Sequence, residues 1–224
     1  MKFLLRPLLM TILLFGGFPN VKSETNQNLK LKIPTEKVVV LEMEFPVMED
    51  IFTGELFKPT GLCTGFFIGS NNQIMTAAHC VDGIVMSVAV KTHDGSRYKA
   101  EILYISKTSD VALIKISTTT QYPHFTVAKS VTQGEKVYTL GHPLRKVYTL
   151  THGIIANVLE KETKKTLVDM TLLPGNSGGP VYNEKGELVG VASAGYIVML
   201  GTTGLNLIAS LSQVTEFLDL FKGL

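Results

Sequence analysis

From Val38 to Ile208 the chain is made of short apolar or alternating runs broken by turn residues. That rhythm predicts β-strands, because side chains alternate faces along a strand and the runs are too short and too β-branched for buried helices. Strands are expected over Val38–Phe45, Gly61–Ser70, Gln73–Thr76, Ile84–Thr92, Arg97–Ile105 and Val111–Ile116. A second set is expected over Lys136–Leu140, Val147–Leu159, Thr166–Thr171, Gly179–Tyr182, Leu188–Ser193 and Leu205–Ile208. Asn71-Asn72, His93-Asp94-Gly95-Ser96 and Glu184-Lys185-Gly186-Glu187 read as turns, since Asn, Asp and Gly tolerate the tight backbone. Ser117 to Val131 is polar, carries Tyr122-Pro123, and reads as the connection between the two sets. Only after Ser210 does the period change. Leu211, Val214, Phe217, Leu218 and Phe221 fall at helical spacing, with Ser212 as the expected N-cap of a helix over about 210–222. The class is all-β with a short C-terminal helix.

The first 23 residues break the pattern. Lys2 and Arg6 precede an apolar run of 11 residues, Leu8 to Phe18, which is too short to span a bilayer comfortably. Val21-Lys22-Ser23 gives a plausible cleavage point, so residues 1–23 read as a signal peptide for export. The alternative is an uncleaved membrane anchor. Residues 24–37 are polar and lysine-rich, as expected of a flexible leader. The formal charge of +2 comes from the part expected to be removed. Without Lys2, Arg6 and Lys22, 18 basic residues face 19 acidic ones. A near-neutral chain gives no electrostatic reason to bind nucleic acid or an anionic membrane. With 45% apolar residues, the 224-residue chain can fill a sizeable core. Two cysteines, Cys63 and Cys80, are too few for a metal centre of their own, and neither a metal nor another cofactor is expected.

The chemistry concentrates in Leu173-Pro174-Gly175-Asn176-Ser177-Gly178-Gly179-Pro180. A serine hydroxyl is a weak nucleophile until a base takes its proton, and acyl transfer also needs donors for the developing oxyanion. A glycine-rich turn can leave the hydroxyl accessible and aim N–H groups inward. Thr76-Ala77-Ala78-His79-Cys80 offers a base, and Asp110, opening the run Val111 to Ile116, offers an acid to orient it. His93, His124 and His152 read as surface residues, and His142 as a structural residue or part of a cleft wall.

These three motifs, in the order His, Asp, Ser, resemble the chymotrypsin-fold serine proteases from about Val38 to the C-terminus. The resemblance implies two six-stranded antiparallel β-barrels with the site between them, the first over about 38–120 and the second over about 121–208. It implies His79 as general base, Asp110 as its orienting acid and Ser177 as nucleophile. The N–H groups of Gly175 and Ser177 would form the oxyanion hole. It also implies a disulfide between Cys63 and Cys80. There is no Ile-Val-Gly-Gly start, and the residue before the serine is Asn176 rather than aspartate, so the zymogen activation step of that family is not expected. The separation of 31 residues between His79 and Asp110 is short. In these respects the chain is similar to the compact branch with the HtrA/DegP proteases and the glutamyl endopeptidases, with no room after Leu224 for a PDZ domain.

The same resemblance puts Thr171, Leu172, Ser193, Gly195, Gly204 and Leu205 around the primary substrate pocket. None carries a charge, so cleavage after small or medium apolar residues is expected, because an unpaired charge would be desolvated there. Glutamate specificity competes with it, since Thr171 and Ser193 supply hydroxyls, although no histidine matches. The expected activity is that of an exported serine endopeptidase, secreted or periplasmic, acting on proteins or peptides. A protease-fold scaffold without activity is the alternative. Gly175 to Gly179 also fits the Gly-x-Ser-x-Gly spacing of α/β-hydrolases, but that fold needs a strand–turn–helix setting and the order Ser, acid, His.

Overall fold

A computed structural model describes residues 32–159, 164–193 and 204–221. The expected signal segment, the first part of the expected leader, and Gly195 lie outside the described residues. The strands are β1 (Val38–Glu44), β2 (Met48–Glu49), β3 (Leu56–Phe57), β4 (Thr60–Phe67), β5 (Gln73–Thr76), β6 (Ser87–Lys91), β7 (Arg97–Ser106) and β8 (Val111–Ile116). They continue with β9 (Lys136–Gly141), β10 (Thr149–Leu159), β11 (Lys165–Met170), β12 (Pro180–Asn183), β13 (Leu188–Ala192) and β14 (Leu205–Ala209). One helix follows, α1 (Leu211–Asp219).

Twelve of these strands close two antiparallel barrels, β1-β4-β5-β8-β7-β6 and β10-β11-β14-β13-β12-β9. The first closes where β1 pairs with β6, as in Leu41 opposite Val90, and the second where β9 pairs with β10, as in Leu140 opposite Leu150. Strands packed on both sides, such as β8 (Val-Ala-Leu-Ile-Lys-Ile, apolar but for Lys115) and β13 (Leu-Val-Gly-Val-Ala), are the nearly continuous apolar runs of the sequence. Val39, Leu41, Phe67, Ile74 and Ile114 fill the first barrel, and Val137, Ile155, Val168 and Ile208 the second. A third cluster joins them: Phe66, Met75 and Leu113 pack with Phe125, Leu140 and Tyr182, and the helix adds Val214 and Phe217. This shared apolar seam fixes one barrel on the other, and hence the residues that meet across it.

Some local expectations shift. The strand expected from Ile84 begins only at Ser87, because Ile84 and Met86 are exposed in the segment that leaves the histidine turn. A small hairpin, β2 with β3, occupies the stretch between β1 and β4, where Ile51, Phe52 and Leu56 stand exposed. The end of the leader is folded rather than free: Pro34 is buried, Thr35–Lys37 make a 3₁₀ turn, and the Lys37 ammonium lies 5.0 Å from the centre of the Phe125 ring. The N-cap of α1 is Ser210, not Ser212. The Ser210 hydroxyl accepts from the Gln213 N–H at 3.2 Å, and the Gln213 amide oxygen accepts from the Ser210 N–H at 3.2 Å. That reciprocal pair meets two of the orphan donors at the helix start. Among the described residues no helix is long and apolar enough to cross a membrane.

Ser210→Ala leaves the Gln213 N–H unmet in a buried place. We expect it to cost ~1 kcal/mol in urea unfolding while the barrels keep their circular dichroism spectrum.

Candidate active site

The turn after β5 carries His79 on a 3₁₀ segment, Ala78–Cys80, whose flanking alanines are buried. Asp110 stands in the left-handed region, at φ 56°, immediately before β8. β5 and β8 are paired, Thr76 opposite Ala112, so the ends of the two strands bring the residues together. Both Asp110 carboxylate oxygens lie 3.0 Å from His79 Nδ1, and Oδ1 also accepts the His79 backbone N–H at 3.1 Å. The carboxylate thus fixes both the main chain and the ring of the histidine, with Nδ1 carrying the proton and Nε2 left as the acceptor. The Ser193 hydroxyl donates to Asp110 Oδ2. Burial alone pushes the Asp110 carboxyl up. The hydrogen bonds from His79 and Ser193, with the nearby imidazole, outweigh burial and hold it below the usual carboxylate range.

Ser177 comes from the other barrel, on the turn between β11 and β12. The Asn176 N–H donates to the Leu173 carbonyl at 2.9 Å, and Gly175 has φ 104°. This is a β-turn of type II, with Pro174 and Gly175 at its centre, and the positive φ is why the second position is glycine. Gly178, at φ 79°, is required for a second reason: a Cβ there would collide with Thr76 Oγ1 and the Thr64 carbonyl. The loop is held by main-chain bonds in both directions. Gly178 N–H donates to Ala192 O at 2.7 Å, Ala192 N–H to Gly179 O at 2.9 Å, and Thr64 N–H to Ser177 O at 2.9 Å. Thr64 Oγ1 donates to Gly175 O at 2.7 Å and Thr76 Oγ1 to Thr64 O at 2.7 Å. With these partners assigned, the N–H groups of Gly175 and Ser177 remain without an acceptor among the described residues, on either side of the buried Asn176. No hydrogen bond joins the Ser177 hydroxyl to the His79 ring among the described residues, and such contacts commonly tighten only when substrate is bound.

Cys63 of β4 and Cys80 of the histidine turn form a disulfide with a Cα–Cα distance of 6.2 Å. The Cys80 sulfur lies 3.8 Å from the Ser177 carbonyl oxygen, so the bridge sits against both the histidine turn and the serine loop.

The sequence profile described as a trypsin-like peptidase domain matches residues 63–191. The chain belongs to the trypsin-like peptidase family. Curated relatives agree. The "Probable periplasmic serine endoprotease DegP-like" of Halomonas elongata is 30% identical over 165 residues, covering 70% of this chain and 34% of that protein. "Serine protease HTRA2, mitochondrial" of Drosophila willistoni is 31% identical over 196 residues, covering 82% of this chain and 44% of that protein. The chain therefore spans less than half the length of either relative.

Within this peptidase domain, the hydroxyl of one expected pocket residue is engaged elsewhere. Ser193 spends its hydroxyl on Asp110 rather than presenting it to a pocket. The Thr171 carbonyl accepts from Thr151 Oγ1 at 3.0 Å, and the residue is exposed. Leu172 packs against the second-barrel core, and Gly204 and Leu205 are exposed at the start of β14. Gly195 lies outside the described residues. The site also contains residues that sequence reasoning missed. Thr64 gives no sequence signal beyond its place after Cys63. Lys165, on β11, donates to Ser109 O at 2.8 Å beside Asp110; burial pulls its ammonium pKa down, and the Asp110 charge opposes that. His142, expected as a structural residue or part of a cleft wall, is fully buried between strands. Its Nε2 donates to Val39 O at 3.1 Å and its Nδ1 accepts from the Tyr148 N–H at 3.1 Å. Burial lowers its pKa from 6.5 to about 4.

Two measurements check these supports. A protein that keeps His142 neutral loses stability when the unfolded chain binds a proton that the folded one refuses. The His142 contribution is therefore complete above pH 6.5 and lost as pH falls toward about 4. Urea titrations over that range should show the stability gap between wild type and His142→Asn narrowing with falling pH. Replacing Cys63 and Cys80 together by alanine opens a loop of 17 residues, and we expect a loss of ~3 kcal/mol in the same assay.

Proposed function

We propose that the chain is an exported serine endopeptidase that hydrolyses peptide bonds through Ser177, His79 and Asp110. One observation carries this reading: a histidine held at Nδ1 by a carboxylate is combined with two acceptor-free N–H groups around the serine turn. In the proposed reaction Ser177 Oγ attacks the scissile carbonyl carbon and its proton passes to His79 Nε2. The carbonyl oxygen takes the negative charge and is met by the N–H groups of Gly175 and Ser177. The C–N bond then breaks, and the leaving amine takes the proton from His79. Water repeats the sequence on the acyl-enzyme, returning the proton to Ser177. Asp110 stays ionised throughout, and stabilises the imidazolium that forms twice. Its depressed pKa suits that task.

Residues 1–23 are proposed to be a signal peptide that directs export, with the peptidase domain over 38–224. The disulfide fits an oxidising compartment, and one relative is named as periplasmic. The proposed preference is for small or medium apolar residues before the cut. Leu172 and Leu205 supply apolar surface. Glutamate specificity is disfavoured because the Ser193 hydroxyl is already committed.

Purified protein should be labelled by a fluorophosphonate on Ser177, and Ser177→Ala should reduce cleavage of a casein substrate to background. Asp110→Asn should keep the fold and lower kcat by ~10⁴-fold, because the imidazole then takes the wrong tautomer. A peptide library should be cut after Ala, Val or Leu, and preferential cutting after Glu, Lys or Arg would remove the proposed preference.

A further inference from the structure

The serine turn contains a choice that its own sequence does not make. Pro174 at the first central position suits both type I and type II turns, and Gly175 at the second suits both as well. The two differ in the direction of the peptide between them. In the type II form the Gly175 N–H faces the reacting carbonyl. In the other form the Pro174 carbonyl oxygen takes that place, and the site loses a donor. A contact from outside the turn must decide.

That contact comes from the loop joining β9 to β10. The Leu144 N–H donates to the Pro174 carbonyl at 3.0 Å. In a trans peptide the C=O and N–H point in opposite directions, so holding the Pro174 oxygen on the loop side turns the Gly175 N–H to the other side. The same loop roofs the turn: a Cβ on Gly175 would collide with the His142 carbonyl.

The loop does not hold this shape cheaply. Leu144, Arg145 and Tyr148 all have left-handed backbones, at φ 49°, 64° and 54°, and none is glycine. Such residues cost on the order of 1 kcal/mol each and persist only where the surroundings over-determine them. Arg145 donates to Thr60 at its exposed end, Lys146 N–H closes a turn on Pro143 O at 2.8 Å, and the exposed Thr149 hydroxyl donates to Lys146 O at 2.9 Å. The buried tie is His142. Its ring spans from Val39 in β1 of the first barrel to the N–H of Tyr148, itself one of the left-handed residues, and stacks edge-on against the Tyr148 ring at 5.1 Å between centroids. Both ring nitrogens are used, and the ring is wholly buried.

We propose that His142 is a positioning residue for the oxyanion turn. Its ring clamps both ends of the 142–148 loop, so that the Leu144 N–H holds the Pro174–Gly175 peptide with its donor facing the substrate. The proposal rests on the peptidase reading above. It makes the productive turn a property of inter-barrel packing, communicated through one neutral histidine.

The test compares wild type with His142→Leu, which fills the space but makes neither bond, and His142→Asn, whose amide oxygen can still accept from Tyr148. Steady-state kinetics on a peptide amide are read beside the affinity of a peptide aldehyde, which forms an oxyanion when the serine adds to it. For His142→Leu, kcat should fall ~100-fold with KM changed by less than ~3-fold, because losing one oxyanion donor affects the transition state and hardly the bound substrate. Aldehyde affinity should fall in parallel, and His142→Asn should recover most of kcat. If His142→Leu does not fold, His142→Gln reaches Val39 but leaves the Tyr148 N–H unmet, and its kcat should lie well below that of His142→Asn. A His142→Leu enzyme with wild-type kcat, or Gln and Asn variants of equal wild-type activity, would overturn the proposal alone. A wild-type protein that neither cleaves nor binds aldehyde would overturn the peptidase reading with it.

Discussion

Thr64 is the point on which the two barrels agree about the position of the serine. Its N–H binds the Ser177 carbonyl, its hydroxyl binds the Gly175 carbonyl, and its own carbonyl accepts from Thr76. All of its polar atoms are used, and the residue is fully buried. Thr64 belongs to the first barrel, Ser177 to the second, and Thr76 ends the strand that leads to His79. A shift of β4 would therefore move the serine loop and the histidine turn together. The neighbouring Cys63 extends the same logic by covalent means, bridging β4 to the residue after His79.

Most of the architecture was legible because strand burial and sequence pattern say the same thing. β13 is apolar and buried throughout, and β8 is so at every position but Lys115. The limits fell where exposure and pattern part. Ile84 and Met86 read as strand residues but are exposed, so β6 starts later. The apolar residues of the β2–β3 hairpin gave no clean alternation. Ser212 read as the helix cap, but the cap is Ser210, because the Gln213 side chain reaches back to it. In the site, motif residues were identifiable because each has a distinctive neighbourhood of glycine, alanine or aspartate. Ser193 was not, since a hydroxyl on a strand end can face a pocket or a carboxylate, and only the register decides. Thr64 and Lys165 look like ordinary strand residues for the same reason.

The left-handed residues sort into two groups with different physics. Glycines such as Gly175 and Gly178 reach positive φ without penalty and are demanded by close main-chain approach. Asp110, Leu144, Arg145 and Tyr148 reach it with a side chain attached. Asp110 is compensated by its bonds to His79 and Ser193, and Tyr148 by His142. Two further non-glycine residues at positive φ, Asn72 and Lys164, sit in turns elsewhere, but the strained residues of the site are the ones met by buried polar contacts.

Closure of both barrels has a consequence for a protein whose proposed substrates are extended polypeptides. An open sheet presents a row of unmet N–H and C=O groups, and any unfolded chain at high local concentration can add itself there as another strand. Here β1 meets β6 and β9 meets β10, so neither barrel offers such a border. Among the described residues a visiting chain therefore finds no open barrel edge on which to add itself as a strand.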